Sequence, residues 1–210
     1  MKEPQWICIT GTDGAGKSSL IELLLQDQTL FEGKKVKEVT IWDLFFLPKE
    51  EQYLFISSKQ AVDLYLKSLS PQSRTFFLLH CLAQALEIAR REAVDIALVN
   101  AYWYKYLATE VAYDGKLEHR LGLVESFPKP DFVFSLSVSV ETASQRKERY
   151  SAFESGFPAV VAAPSFAAFQ HKVQTAYQQI MSTVEHFPLD GELPLVDLKK
   201  QIMEILKTKI

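Results

Sequence analysis

Gly11-Thr12-Asp13-Gly14-Ala15-Gly16-Lys17-Ser18-Ser19 is the stretch that decides how the chain is read. It follows the apolar run Trp6-Ile7-Cys8-Ile9 and leads into Leu20-Ile21-Glu22-Leu23-Leu24-Leu25. A glycine, four residues and then Gly-Lys-Ser, set between a strand and a helix, is the pattern of a loop that cradles phosphates. Glycines let the backbone turn tightly enough for successive N–H groups to face one anion, and the helix adds its positive N-terminal end. Gly11, Asp13, Gly14, Ala15, Gly16, Lys17, Ser18 and Ser19 are therefore expected to hold a polyphosphate. Lys17 would neutralise the β- and γ-phosphates, and the Ser18 hydroxyl would be a ligand of Mg²⁺.

The chain has 210 residues, 48% of them hydrophobic, enough for a full apolar core within one domain spanning 1–210. Its net charge of −3, with both signs interspersed, points to small-molecule partners and away from nucleic acid or a polybasic membrane anchor. The two cysteines, Cys8 and Cys81, fall in a strand-like and a helix-like apolar run, as buried thiols of a reducing compartment do. No secretory h-region follows Met1 and no apolar stretch is long enough to span a bilayer, so a cytoplasmic protein is expected.

Beyond the loop, a helix is expected over 18–27 and a second strand over 34–41, running into Trp42-Asp43-Leu44. An acid beyond the carboxyl end of a parallel strand lies where such sheets gather their ligands, which makes Asp43 a candidate Mg²⁺ and substrate contact. Residues 49 to 69 carry a helical pattern, and Ser70-Pro71 starts a long helix that runs to Arg91. Ala93 to Val99 is a nearly continuous apolar run, as in a strand buried on both faces. It ends in Asn100-Ala101-Tyr102 and an aromatic-rich segment. Further helix is expected over 103–124 with a break near Asp114-Gly115, then a strand over 132–138 and a helix from Glu141. Residues 151–164 lack a clean period and read as a mobile loop. Helices over 165–186 and 197–209 with a short strand near Leu195-Val196 complete the pattern. Strands alternating with helices imply a three-layer α/β P-loop NTPase fold around a parallel five-stranded sheet.

Several of these segments resemble the thymidylate kinases, P-loop enzymes that phosphorylate dTMP with ATP. The loop GTDGAGKSS is close to theirs. Leu69-Ser70-Pro71 followed by Phe76-Phe77-Leu78-Leu79 looks like the family's substrate helix, and Pro130-Asp131 matches the residues that lead into its penultimate strand. The basic run Arg146, Lys147, Arg149, followed by Phe153-Glu154, lies where the family has its lid, here near 146–164, and Val173 and Tyr177 echo the helix after it. The resemblance implies ATP and Mg²⁺ as cofactors and dTMP or another nucleoside monophosphate as acceptor. It also implies that Arg146 and Arg149 close over the transferring phosphoryl group, the more so because position 14 is glycine where some relatives have an arginine.

The acceptor side departs from the family. Its Asp-Arg-Tyr or Asp-Arg-Phe is Asn100-Ala101-Tyr102, the second Asp-Arg of the substrate helix falls near Cys81-Leu82, and Arg-Glu-Pro after the second strand becomes Trp42-Asp43-Leu44. Each missing arginine removes a charge-assisted contact worth about 1.5–3 kcal/mol. Lys105 and Arg74 are the cations expected to compensate, with Phe77 stacking on a base, Trp42 and Tyr102 lining the same cleft, and Asn100 assisting the metal. A nucleotide-binding protein of the same fold with lost or altered kinase activity is the alternative. Relatives pair through helices, and an apolar helix face here would serve a homodimer or a core equally well.

Overall fold

The computed structural model describes residues 3–27, 31–47, 50, 58–114 and 116–209. The central strand β1 (Gln5–Gly11) sends Ile7 and Ile9 to one face of the sheet and Trp6 and Cys8 to the other, so both faces are apolar and both must be covered. The remaining strands are β2 (Val36–Val39), β3 (Ile96–Asn100), β4 (Phe132–Ser137) and β5 (Phe187–Asp190). All pairings are parallel, in the order β2-β3-β1-β4-β5. β1 runs beside β3 with Ile9 opposite Asn100, and beside β4 with Gly11 opposite Leu136, which sets the phosphate loop at the carboxyl edge of the sheet.

On the Ile7/Ile9 face lie α1 (Lys17–Leu25) and α8 (Leu195–Lys209), with Leu20, Leu24, Leu198 and Ile202 fully or almost fully buried. On the Trp6/Cys8 face lie α3 (Pro71–Arg91), α4 (Trp103–Asp114) and α7 (Ala163–Met181), joined through Leu82, Leu107 and Val173. The expected three-layer α/β arrangement is the one observed. The start of α3 is set by Ser70, whose Oγ accepts the Ser73 N–H at 3.2 Å while Pro71 occupies the first turn. Asp131 fixes the approach to β4 by accepting the Trp6 N–H at 2.7 Å and donating its own N–H to the Trp6 carbonyl at 2.9 Å.

Several segments differ from their sequence reading. β2 stops at Val39, and Ile41–Phe46 forms a 3₁₀ helix capped by Thr40, whose Oγ1 accepts the Trp42 N–H at 3.5 Å. The helical pattern over 49–69 is realised as α2 (Lys59–Ser68), capped by Ser58; residues 48, 49 and 51–57 lie outside the described residues, as does the expected break at Gly115. After α4 come only α5 (Glu118–Leu121) and a 3₁₀ turn over Gly122–Val124. The last strand is Phe187–Asp190, whereas Leu195-Val196 opens α8. The proline at 188 is tolerated because β5 is an edge strand that pairs with β4 alone.

The segment after α6 (Val140–Gln145) is pinned at several points, in contrast to the mobile loop expected. Phe153 and Ser155 are buried, the Tyr113 hydroxyl donates to the Phe153 carbonyl at 2.6 Å, and Gln170 Nε2 donates to the Glu154 carbonyl at 2.9 Å.

Candidate active site

The phosphate loop takes the conformation its glycines allow. Gly14 and Gly16 have φ of +83° and +93°, in the region other residues avoid. A Cβ at position 14 would lie 2.7 Å from the Ala143 carbonyl oxygen of α6, so no side chain fits there unless α6 moves. Gly16 is the N-cap of α1 and leaves the helix's first N–H groups open to an anion. Asp13, Gly14, Gly16, Lys17, Ser18 and Ser19 line a cleft of about 1120 Å³; Gly11 and Ala15 lie beneath it.

Lys17 is folded across the loop, donating from Nζ to the Gly11 carbonyl at 3.0 Å and the Thr12 carbonyl at 2.7 Å. Burial pushes its ammonium down to about 8, with Asp13 working in the opposite direction. Lys105, in the first turn of α4, meets Asp13 Oδ1 at 3.0 Å. Burial alone would push the Asp13 carboxyl up, but Lys105, Lys17 and Lys147 together hold it below the usual carboxylate range. Burial likewise opposes the charge of Lys105, and Asp13 and Glu154 outweigh it and raise the amine.

At the carboxyl ends of β2 and β3, Asn100 Nδ2 donates to Ser18 Oγ at 2.9 Å and to Glu38 Oε1 at 2.7 Å. Ser18, Asn100 and Glu38 all face the cleft. These are hard oxygen donors beside the phosphate loop, the kind Mg²⁺ takes when phosphates and waters supply its remaining ligands. Among the described residues no three His, Cys, Asp or Glu side chains form a self-sufficient metal cluster.

The cleft continues into a second cavity of about 220 Å³ beneath α2 and α3, where Trp42, Phe77, Tyr106 and Phe153 supply apolar and aromatic walls and Asp63 and Glu154 supply carboxylates. Lys59, Lys105, Tyr106 and Glu154 border both spaces. Burial, with Glu154 nearby, raises the Asp63 carboxyl above its ordinary value. At the opposite end of the cleft, Gly191 to Leu195 form a wall facing Arg146, whose Nη1 donates to the Gly191 carbonyl at 2.9 Å.

The structure thus brings Lys105, Phe77, Asn100 and Arg146 to these spaces, and places four other expected residues elsewhere. Arg74 is 4% exposed and lies outside both cavities: its Nε bonds Glu110 at 3.0 and 3.2 Å, and its guanidinium stacks on Tyr113 at 4.2 Å. Tyr102 is 1% exposed, packed against Tyr104 and Phe127, with its hydroxyl donating to the Pro128 carbonyl at 2.6 Å. Asp43 is buried in the 3₁₀ turn with Lys37 at 3.8 Å and does not line the cleft. Arg149 is exposed and likewise lies off the cleft wall. The sequence reading missed Glu38, Lys59, Tyr106 and the Gly191–Leu195 wall. Only Glu38 left a usable signal, as a carboxylate one residue before the end of a strand.

No protein-family profile matches the chain, and no curated protein matches it significantly. Among solved structures, the deoxyadenosine kinase from M. mycoides with bound dATP is similar, with a TM-score of 0.61 and 16% identity over 96% of this chain and 98% of that one. The chain has the P-loop kinase fold. That likeness, at this identity, concerns the fold, and it carries no preference for thymidylate kinases over other kinases built on it. Among the described residues no helix is long and apolar enough to cross a membrane.

Proposed function

We propose that the chain is an ATP-dependent kinase of a nucleoside, transferring the γ-phosphoryl group to a hydroxyl. One observation carries the choice of acceptor: among the described residues the second cavity offers two carboxylates, Asp63 and Glu154, and no arginine. Of its lysines, Lys59 lies over the Trp42 ring at 5.3 Å and Lys105 is paired with Asp13. A phosphate dianion placed there would find no guanidinium fork to grip it and would stand beside Asp63 and Glu154, whereas a neutral nucleoside would find hydrogen-bond acceptors for its hydroxyls and aromatic walls for its base. The similar solved structure is a kinase named for deoxyadenosine, a nucleoside, which supports the reading.

In this proposal the loop from Asp13 to Ser19, with the Lys17 ammonium, holds the triphosphate of ATP, and its base lies against Arg146 and the Gly191–Leu195 wall that Arg146 joins. Ser18 is the side chain that would hold Mg²⁺, which supplies charge neutralisation at the β- and γ-phosphate oxygens. The acceptor oxygen forms the new bond to the γ-phosphorus. The bond from that phosphorus to the β,γ-bridging oxygen breaks with its electron pair left on ADP, and the hydroxyl proton passes to Glu38. Positioning and charge neutralisation are the main demands of such a transfer.

Nucleotide binding without transfer is the second reading, favoured by Asn100-Ala101 at the end of β3, two uncharged residues where the thymidylate kinases have an Asp-Arg pair. A coupled assay of ADP release with Mg²⁺-ATP, run across the common nucleosides and their monophosphates, separates the readings. ADP release that depends on a nucleoside and is weaker with dTMP supports the proposal. Preference for dTMP returns the acceptor to the monophosphate class, and ATP binding with no acceptor-dependent ADP release favours the second reading.

A further inference from the structure

Lys17 and Lys105 come from different helices and end on the same loop. The first satisfies its ammonium on the carbonyls of Gly11 and Thr12, the second on the carboxylate of the next residue, Asp13. The two side chains are buried near enough to one another for the Lys105 charge to disfavour that of Lys17, and Lys147, 2.8 Å from Glu154, adds a third cation to the group. Like charges gathered out of water are costly unless an anion lies among them. Asp13 and Glu154 supply part of that counter-charge, leaving the three ammonium groups with an excess of positive charge at the junction. That excess has an address: Lys105 borders both the phosphate-loop cleft and the second cavity, and its side chain is 11% exposed. The other lysine bordering both, Lys59, is exposed at the rim. One further sign is that Asp13 Oδ2 is buried without a hydrogen-bond partner, so the pair is incompletely satisfied as it stands.

We infer that Lys105, oriented by Asp13, is a catalytic residue whose ammonium contacts the equatorial oxygens of the phosphoryl group in transit. This deepens the kinase reading and rests on it for the identity of the transferred group. Lys17 stays with the oxygens that leave with ADP, while Lys105 stands where the transferring group passes from cleft to cavity. Asp13 is the positioning residue: it holds the ammonium at the junction when no phosphate is present.

Binding of ADP with Mg²⁺, alone and with aluminium fluoride, tests this, because the fluoride complex occupies the place of the phosphoryl group in transit. Lys105→Met should leave ADP affinity within about threefold and reduce the fluoride-dependent gain in affinity by about 10²-fold, the cost of removing one preorganised donor to developing charge. Lys105→Met leaves Asp13 buried without its partner and can fail to fold, so the neutral pair Asp13→Asn/Lys105→Met is measured beside it. Recovery of thermal stability in the double variant without recovery of the fluoride gain supports the inference. A fluoride gain in either variant equal to that of the unsubstituted chain overturns it, as does an unsubstituted chain in which fluoride adds nothing. An unsubstituted chain that shows a Lys105-dependent gain but no acceptor-dependent ADP release would remove the kinase reading, overturn the catalytic role with it, and leave Lys105 as a contact of the γ-phosphoryl position alone.

Discussion

Glu38 Oε1 lies 2.7 Å from Asn100 Nδ2, and the same amide nitrogen reaches Ser18 Oγ at 2.9 Å, so one short chain links a carboxylate on β2 to the residue that would hold the metal. The order of the strands makes this possible, because β3 stands between β2 and β1 and ends at the same edge. If Glu38 receives the acceptor's proton, Glu38→Gln keeps the hydrogen-bonding shape and removes the base. Steady-state kinetics should then show kcat lowered by about 10²–10⁴-fold with KM for ATP nearly unchanged. A rise in KM for ATP at constant kcat would make Glu38 a nucleotide-binding residue instead.

The Lys17 ammonium, pushed down to about 8 by burial, gives nucleotide binding a pH dependence. Below that value Lys17 carries its charge, and above it the charge is progressively lost unless phosphate is already bound. Affinity for ATP, measured by titration from pH 7 to pH 10, should therefore fall as pH rises through about 8, and in Lys17→Met the affinity should be weak and this fall absent.

The Arg74–Glu110 pair is a stability element, with both side chains almost fully buried and Nε to Oε1 at 3.0 Å. Arg74→Met leaves the Glu110 carboxyl, which burial already raises, without its hydrogen-bonded partner, and should cost about 3–5 kcal/mol in chemical denaturation. Arg74→Met/Glu110→Met should recover much of that loss. Because Arg74 borders neither cavity, the double variant should keep the acceptor KM, and a KM raised tenfold would return Arg74 to the substrate site.

Asp43 makes a prediction of opposite sign to an ordinary ion pair. Burial pushes its carboxyl up to about 6, with Lys37 pulling in the other direction, so the folded state holds a proton that the unfolded state has already released. This group's contribution to stability therefore falls as pH rises from about 4 through about 6, and at neutral pH its charge is a cost. Thermal melts should find Asp43→Asn more stable than the unsubstituted chain at pH 7.5, with the advantage shrinking towards pH 4. An advantage that grows at low pH would contradict this.

How much of this was legible in the sequence depended on whether the cause was local. The phosphate loop could be read because its geometry demands particular residues at fixed positions, such as glycine at 14 and 16 with φ above +80°. The runs that became β3 and β4 could be read because strands covered on both faces are mostly apolar. β5 was misplaced because an edge strand of four residues containing Pro188 carries almost no pattern. On the acceptor side the causes are distant. Arg74 looked like a free cation because Glu110, its partner, is 36 residues away in the chain. Tyr102 looked like a wall of the cleft because it follows β3, yet α4 begins immediately after it at Trp103, leaving Tyr102 inside and turning Lys105 and Tyr106 to the cavities. Glu154 lay in a stretch with no period, and its place is fixed by Lys147, Gln170 and the Tyr113 contact with neighbouring Phe153.

The central claim is that a phosphoryl group passes from ATP to a nucleoside hydroxyl, and following the label tests it most directly. With ATP carrying ¹⁸O on its γ-phosphoryl group and a mixture of nucleosides, mass spectrometry should find the label in a nucleoside monophosphate, formed in step with ADP and lost in Glu38→Gln. Label that remains in ATP, or appears only in inorganic phosphate, would contradict the account.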